Sequence, residues 1–211
     1  MDEEAKIQLS MFEMELVNNT EWIFTKQLII KKVYHLFGRL NDEYKKIVDA
    51  EKQFLPLELQ KPGGKITKGE NYKGLPYLIL DYPSIFGKEN IFAVRTLFWW
   101  GNFFSISFHL SGKAMIDHGD HLNKNMFLKE NNFSVCVHET QWEHDFDRSN
   151  FVNINELTKN EIERLYEKSY FKIAKKIELR DWNLAEVFLI NTFKEIIKFI
   201  KLSFPGDKIT L

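Results

Sequence analysis

The sequence predicts an α+β fold, an antiparallel sheet of four to five strands flanked by N-terminal and C-terminal helices. Three observations carry that expectation. Apolar residues before Tyr72 recur at helical spacing, those between Tyr77 and Glu139 gather into short runs rich in aromatic and β-branched side chains, and helical spacing returns after Thr158. At 211 residues, with 44% hydrophobic and 15% aromatic side chains, the chain has material for one sizeable core. A single domain over 1–211 is expected, with a helical part at 1–52, the sheet at 75–140 and a helical hairpin at 158–203.

The first quarter reads as helix. Thr20 is placed to cap a long helix in which Ile23, Ile30, Val33, Phe37, Leu40, Tyr44 and Ile47 fall on one face, and a shorter helix precedes it up to Val17. From Lys61 to Gly74, Pro62 and the glycines at 63, 64, 69 and 74 predict a loop. Gly64 and Gly69 have the glycine spacing of a phosphate-cradling loop. Glu70-Asn71 stands where such a loop needs Lys-Ser/Thr, and an acid there repels phosphate.

Strands are expected at Tyr77–Tyr82, Ile91–Trp100, Phe103–Leu110 and Phe133–Glu139, with a long connection from Ser111 to Asn132 that holds a short helix or a functional loop. Near the end, Thr158-x-x-Glu161 is a capping box for a helix whose face continues through Ile162, Leu165, Tyr166, Ile173 and Ile177. Asp181 is placed to cap the last helix, Leu184–Leu202, which is apolar nearly all round. Such a helix is either buried within the chain or forms a homodimer seam through 184–202.

The hairpin from Ile91 to Leu110 is the densest aromatic segment. A two-residue Gly101-Asn102 turn would set Trp100 opposite Phe103 and Thr96 opposite Ser107. In that register Thr96, Phe98, Trp100, Phe103, Ser105, Ser107 and His109 share one face, a polar stripe walled by rings of the kind that holds a small ligand. Arg95 falls on the other, apolar face, where a buried guanidinium needs a carboxylate; Asp81 on the neighbouring strand is the candidate, and an anion anchor is the functional alternative.

The remaining chemistry lies in the histidines. His118, Asp120 and His121 in the long connection, with His138 and His144 beyond it, offer imidazole and carboxylate ligands for zinc or another divalent metal, and thus for a metal-dependent hydrolase. Their spacing matches no diagnostic pattern, so the leading expectation is a cofactor-free binding module for a small molecule or protein partner rather than an enzyme.

The 29 basic and 30 acidic side chains nearly cancel, which argues against nucleic acid as a partner. The start lacks a basic segment followed by an apolar one, and the longest uncharged apolar run, Thr96 to Phe108, is too short to span a bilayer. With a lone cysteine, Cys136, no intramolecular disulfide forms, and a soluble cytoplasmic protein without membrane contact is expected.

Overall fold

A computed structural model describes residues 7–60, 63–86, 90–118 and 125–204. The chain divides into two compact units, Met1–Leu36 and Phe37–Leu211. In the first, α1 (Met11–Asn18) opens on a capping box between Ser10 and Glu13 and buries none of its residues. Next comes α2 (Thr20–Glu51), whose first turn is capped by Asn19 rather than Thr20: the Asn19 side-chain oxygen accepts the Trp22 N–H at 2.9 Å. From Phe37 onward α2 belongs to the second unit.

That unit is built on one seven-stranded sheet in the order β1-β2-β3-β4-β7-β5-β6, antiparallel at every pairing. The strands are β1 (Lys65–Tyr72), β2 (Leu75–Phe86), β3 (Asn90–Trp99), β4 (Phe103–Gly112), β5 (Ser134–Cys136), β6 (Phe151–Asn153) and β7 (Tyr170–Glu178). The α+β class with an antiparallel sheet therefore holds, with more strands than expected. Short helices α3 (Lys113–His118) and α4 (Asn125–Glu130) lie in the long connection. After α5 (Lys159–Tyr166) and β7 the chain closes with α6 (Ala185–Ser203).

Three expectations fail. The glycine-rich segment before Gly74 is largely strand β1, an edge strand that presents charge rather than apolar surface. Its Gly69 makes room for the Tyr77 ring opposite, since a Cβ there would come within 2.2 Å of that ring. The expected helical hairpin over 158–203 contains β7. The Thr158–Glu161 capping box does form, but α5 stops at Tyr166 and Tyr170–Glu178 pairs with β4. Ile173 and Ile177, four apart, satisfy strand alternation as well as helical spacing. Asp181 does not cap the last helix; Leu184 precedes it without a side-chain cap, and Asp181 lies inside a 3-10 turn, Leu179–Leu184.

The fourth failure decides the site. Trp99, not Trp100, pairs with Phe103, and Thr96 pairs with Ile106. The connection is Trp100-Gly101-Asn102, closed by the Asn102 N–H donating to the Trp99 carbonyl at 3.1 Å. Only Gly101 of the three has a positive φ, 70°. A two-residue primed turn needs positive φ at both positions, and here it occurs instead at Lys73-Gly74 (φ 49° and 81°), between β1 and β2. A slip of one residue moves one strand's side chains to the opposite face relative to its partner.

One sheet face carries Val94, Thr96, Phe98, Phe104, Ile106, Phe108, Phe171 and Ile173. It packs under α6 and the second half of α2. Tyr44 of α2 stacks on Phe193 of α6 at 3.8 Å and shares a 3.1 Å hydrogen bond with Thr96, while Phe199 lies against Phe108 and Phe171. Most of the apolar surface of α6 is thus covered within the chain: Leu189, Phe193, Ile196, Phe199 and Ile200 are fully buried, while Val187 and Leu202 stay exposed. Replacing Phe199 by Ala should lower the unfolding free energy by about 3–5 kcal/mol in urea titration, the usual cost of deleting a buried ring. An unchanged midpoint would show that α6 does not seal this core.

Candidate functional site

The opposite face of the sheet is the polar one. Cross-strand pairs Leu97–Ser105, Arg95–Ser107 and Ala93–His109 on β3–β4, with Ser105–Lys176, Ser107–Ala174 and His109–Lys172 on β4–β7, place these side chains together. Asp81 joins from β2, opposite Arg95. The segment 138–150, a series of turns between β5 and β6, lies over this face.

Of the expected ligand-site residues, the structure brings Phe103, Ser105, Ser107 and His109 onto one face together with Arg95, which the expected register had put on the other. It sends Thr96 and Phe98 to the helix-covered face and puts Trp100 in the turn. Arg95 finds the carboxylate anticipated for it. Its Nε donates to Asp81 Oδ1 at 2.8 Å and its Nη2 to Oδ2 at 3.0 Å, a bidentate pair. What sequence reasoning missed is Lys172, which a helical reading of 170–178 leaves as an ordinary surface lysine.

Lys172 is 2% exposed. Its Nζ donates to the backbone carbonyls of Glu143 at 2.6 Å and Gln141 at 3.1 Å, and lies 3.4 Å from His144 Nδ1. Among the described residues no carboxylate lies within ion-pair distance of it. Burial, with the Arg95 cation nearby, pulls its pKa down to about 8 despite the more distant acids. His144 sits between that amine and the Arg95 Nη1, 3.3 Å from its Nε2; burial and then the two cations hold its pKa well below the usual histidine range. Guanidinium and ammonium both only donate, and a neutral ring accepts through one nitrogen, so His144 accepts from one of the two cations at a time. Burial likewise takes His109 down to about 3, with the Lys172 cation adding to the effect and a 2.8 Å contact from Nε2 to Gln141 Oε1 opposing it.

Tyr72 and Asp145 fasten the segment at its other end. The Tyr72 hydroxyl accepts the N–H groups of His144 at 2.8 Å and Asp145 at 3.1 Å, and has the carboxylates of Glu143 and Asp145 as acceptors, each at 2.9 Å. Burial raises the Tyr72 pKa. Burial would also raise that of Asp145, but hydrogen bonds from Lys73, Tyr72, the Asp147 N–H and Asn150 outweigh it and hold the carboxylate well below its usual range.

Beside this array, a 460 Å³ cleft opens at the β3–β4 turn, walled by Trp99, Phe103 and Phe146 and edged by Lys73, Lys176, Asp145, Asp147 and Glu178. Lys176 stands opposite Ser105, so the cleft adjoins the polar face along β4 and β7. Trp99 Nε1 is buried without a hydrogen-bond partner, and the hydroxyls of Ser105 and Ser107 make no side-chain hydrogen bond among the described residues.

The alternative metal centre is not assembled among the described residues. Asp120 and His121 lie outside the described residues, as does the side chain of His118. His138 turns into its own loop, its Nδ1 accepting the Thr140 N–H at 3.0 Å, and His144 is flanked by cations that would repel a metal ion. No group of three or more His, Cys, Asp or Glu side chains among the described residues is placed to hold a metal. Cys136 is buried with its Sγ 3.5 Å from the Tyr170 hydroxyl. No helix among the described residues is long and apolar enough to cross a membrane. No protein-family model, curated protein or solved structure matches the chain.

The buried histidines set a pH dependence. Above about pH 6.5 His109 is neutral in both the folded and the unfolded chain; as pH falls toward 3, only the unfolded chain takes up the proton, so stability is lost across that window. His109→Gln, which keeps a partner for Gln141, should therefore lose roughly 2–3 kcal/mol less than wild type between pH 7 and pH 4, measured by urea titration. Parallel pH profiles would mean that His109 protonates freely in the fold.

Proposed function

We propose that the chain is a binding module for a small anionic molecule, entered through the cleft at the β3–β4 turn and seated against Ser105, Ser107 and Lys172. One observation carries the reading: a buried lysine with no carboxylate partner among the described residues lies on the same face as the Trp99 indole N–H, a buried donor without a hydrogen-bond partner. Buried cations are ordinarily paired, and buried donors ordinarily bonded. An acceptor-rich anion supplies both at once. It would accept from the Ser105 and Ser107 hydroxyls and the Trp99 indole N–H, and its charge would offset Lys172 and Arg95. At the mouth Lys73 and Lys176 are each paired with an acid, Asp145 at 2.7 Å and Glu178 at 2.8 Å, so the charge that would hold the anion comes from Lys172 and Arg95.

The array is arranged for holding rather than for turnover. The two histidines are neutral, one between two cations and the other against Gln141, and among the described residues neither ring hydrogen-bonds a hydroxyl or thiol. A lone cysteine without a disulfide suits a reducing compartment, and the reading places the module in the cytoplasm as a binding protein without a cofactor.

Isothermal titration with acetate, succinate, citrate and inorganic phosphate tests this. At least one probe should saturate a single site, Lys172→Met should abolish the signal, and Ser105→Ala with Ser107→Ala should weaken it by about tenfold. Binding that survives Lys172→Met unchanged, or no saturation by any of the four, would overturn the assignment.

A further inference from the structure

The N-terminal unit carries an apolar surface that its own residues do not cover. Met11, Phe12, Met14, Leu16 and Val17 of α1 are exposed, as are Trp22, Ile23, Phe24 and Leu28 of α2, with Phe12 at 66% and Phe24 at 62%. Rings bury about 150–250 Å² each, so Phe12, Trp22 and Phe24 alone present roughly 300 Å², and the aliphatic neighbours take the patch beyond what monomers usually expose. An eight-residue helix with no buried residue is also too short to persist on backbone hydrogen bonding alone.

Charge along this arm says what covers it. Residues 7–25 contain Glu13, Glu15 and Glu21 and no lysine or arginine; residues 26–36 contain Lys26, Lys31, Lys32 and His35 and no acid. A parallel partner arm would lay like charge on like. An antiparallel one lays the acidic half of each arm on the basic half of the other, twice, about a two-fold axis. A bilayer is disfavoured because interfacial helices draw lysine and arginine toward anionic lipid, and the most apolar part of this arm is acidic.

We infer that residues 7–36 form an antiparallel dimerisation arm whose partner is the same arm of a second copy, the exposed apolar side chains making the seam and the segregated charges fixing direction. This seam is separate from α6, and it stands independently of the anion site.

Charge reversal in the full chain tests it by sedimentation equilibrium. Wild type should sediment as a dimer, twice the 25.1 kDa chain mass, with an affinity that weakens as salt rises. Glu13→Lys, Glu15→Lys and Glu21→Lys together make the arm wholly basic, and Lys26→Glu, Lys31→Glu and Lys32→Glu make it wholly acidic; either set should weaken self-association by about tenfold or more. Mixing the two variants should restore a heterodimer, and joining both sets in one chain, which reverses the polarity but keeps antiparallel complementarity, should restore the homodimer. All six positions are on the exposed or half-exposed arm, and circular dichroism confirms that each variant is folded. A monomeric wild type, a dimer indifferent to either reversal, a combined variant that stays monomeric, or wild type that stays monomeric and co-sediments with phosphatidylcholine–phosphatidylglycerol vesicles would each overturn the proposal.

Discussion

A buried amine bonded to backbone carbonyls, with no carboxylate partner among the described residues, organises the second unit. Lys172 crosses from β7 into the 138–150 segment, and its bonds to the Gln141 and Glu143 carbonyls satisfy two groups that a turn laid across a sheet would otherwise leave buried and unpaired. With that segment held, His144 falls between Lys172 and Arg95, Gln141 reaches His109, and Asp145 collects Tyr72, Lys73 and Asn150. The His109–Gln141 and Arg95–His144 contacts, and the Lys168 and Tyr170 bonds to the His138 carbonyl, hold the same segment beside it. The cost is a desolvated cation, the condition that a bound anion relieves.

The two faces of the sheet are stabilised by different physics. Beneath the helices, Tyr44, Phe193, Phe199, Phe108 and Phe171 bury rings against one another, a non-directional gain set by area and packing. Across the polar face the interactions are directional and charged, and their strength depends on the exclusion of water. The helix-covered face thus contributes non-directional packing, and the polar face holds the 138–150 segment through directional bonds.

Much of this fold is legible in the sequence, and the failures have identifiable causes. The α+β class, the capping box at Thr158 and the Arg95–Asp81 pair follow from spacing and charge alone. β7 did not, because Ile173 and Ile177 fit periods of both two and 3.6, and only pairing with β4 selects between them. The site was half legible for a related reason. Gly101-Asn102 has the composition of a two-residue turn, yet Trp100 joins the loop, its N–H donating to the Pro76 carbonyl at 3.2 Å. A tertiary bond thus outweighed a local preference, and Thr96 and Phe98 moved to the opposite face from Ser105 and Ser107. Lys172 carried no sequence signal beyond its place in an alternating run.

The central claim is that Lys172 is a desolvated cation awaiting a negative charge, and its own titration tests this most directly. In a chain labelled with ¹³C at the lysine ε-carbon, the Lys172 resonance should titrate near pH 8, apart from the exposed lysines, and its midpoint should rise when a saturating anion is added. A Lys172 midpoint at the ordinary lysine value, unmoved by every anion, would contradict the account.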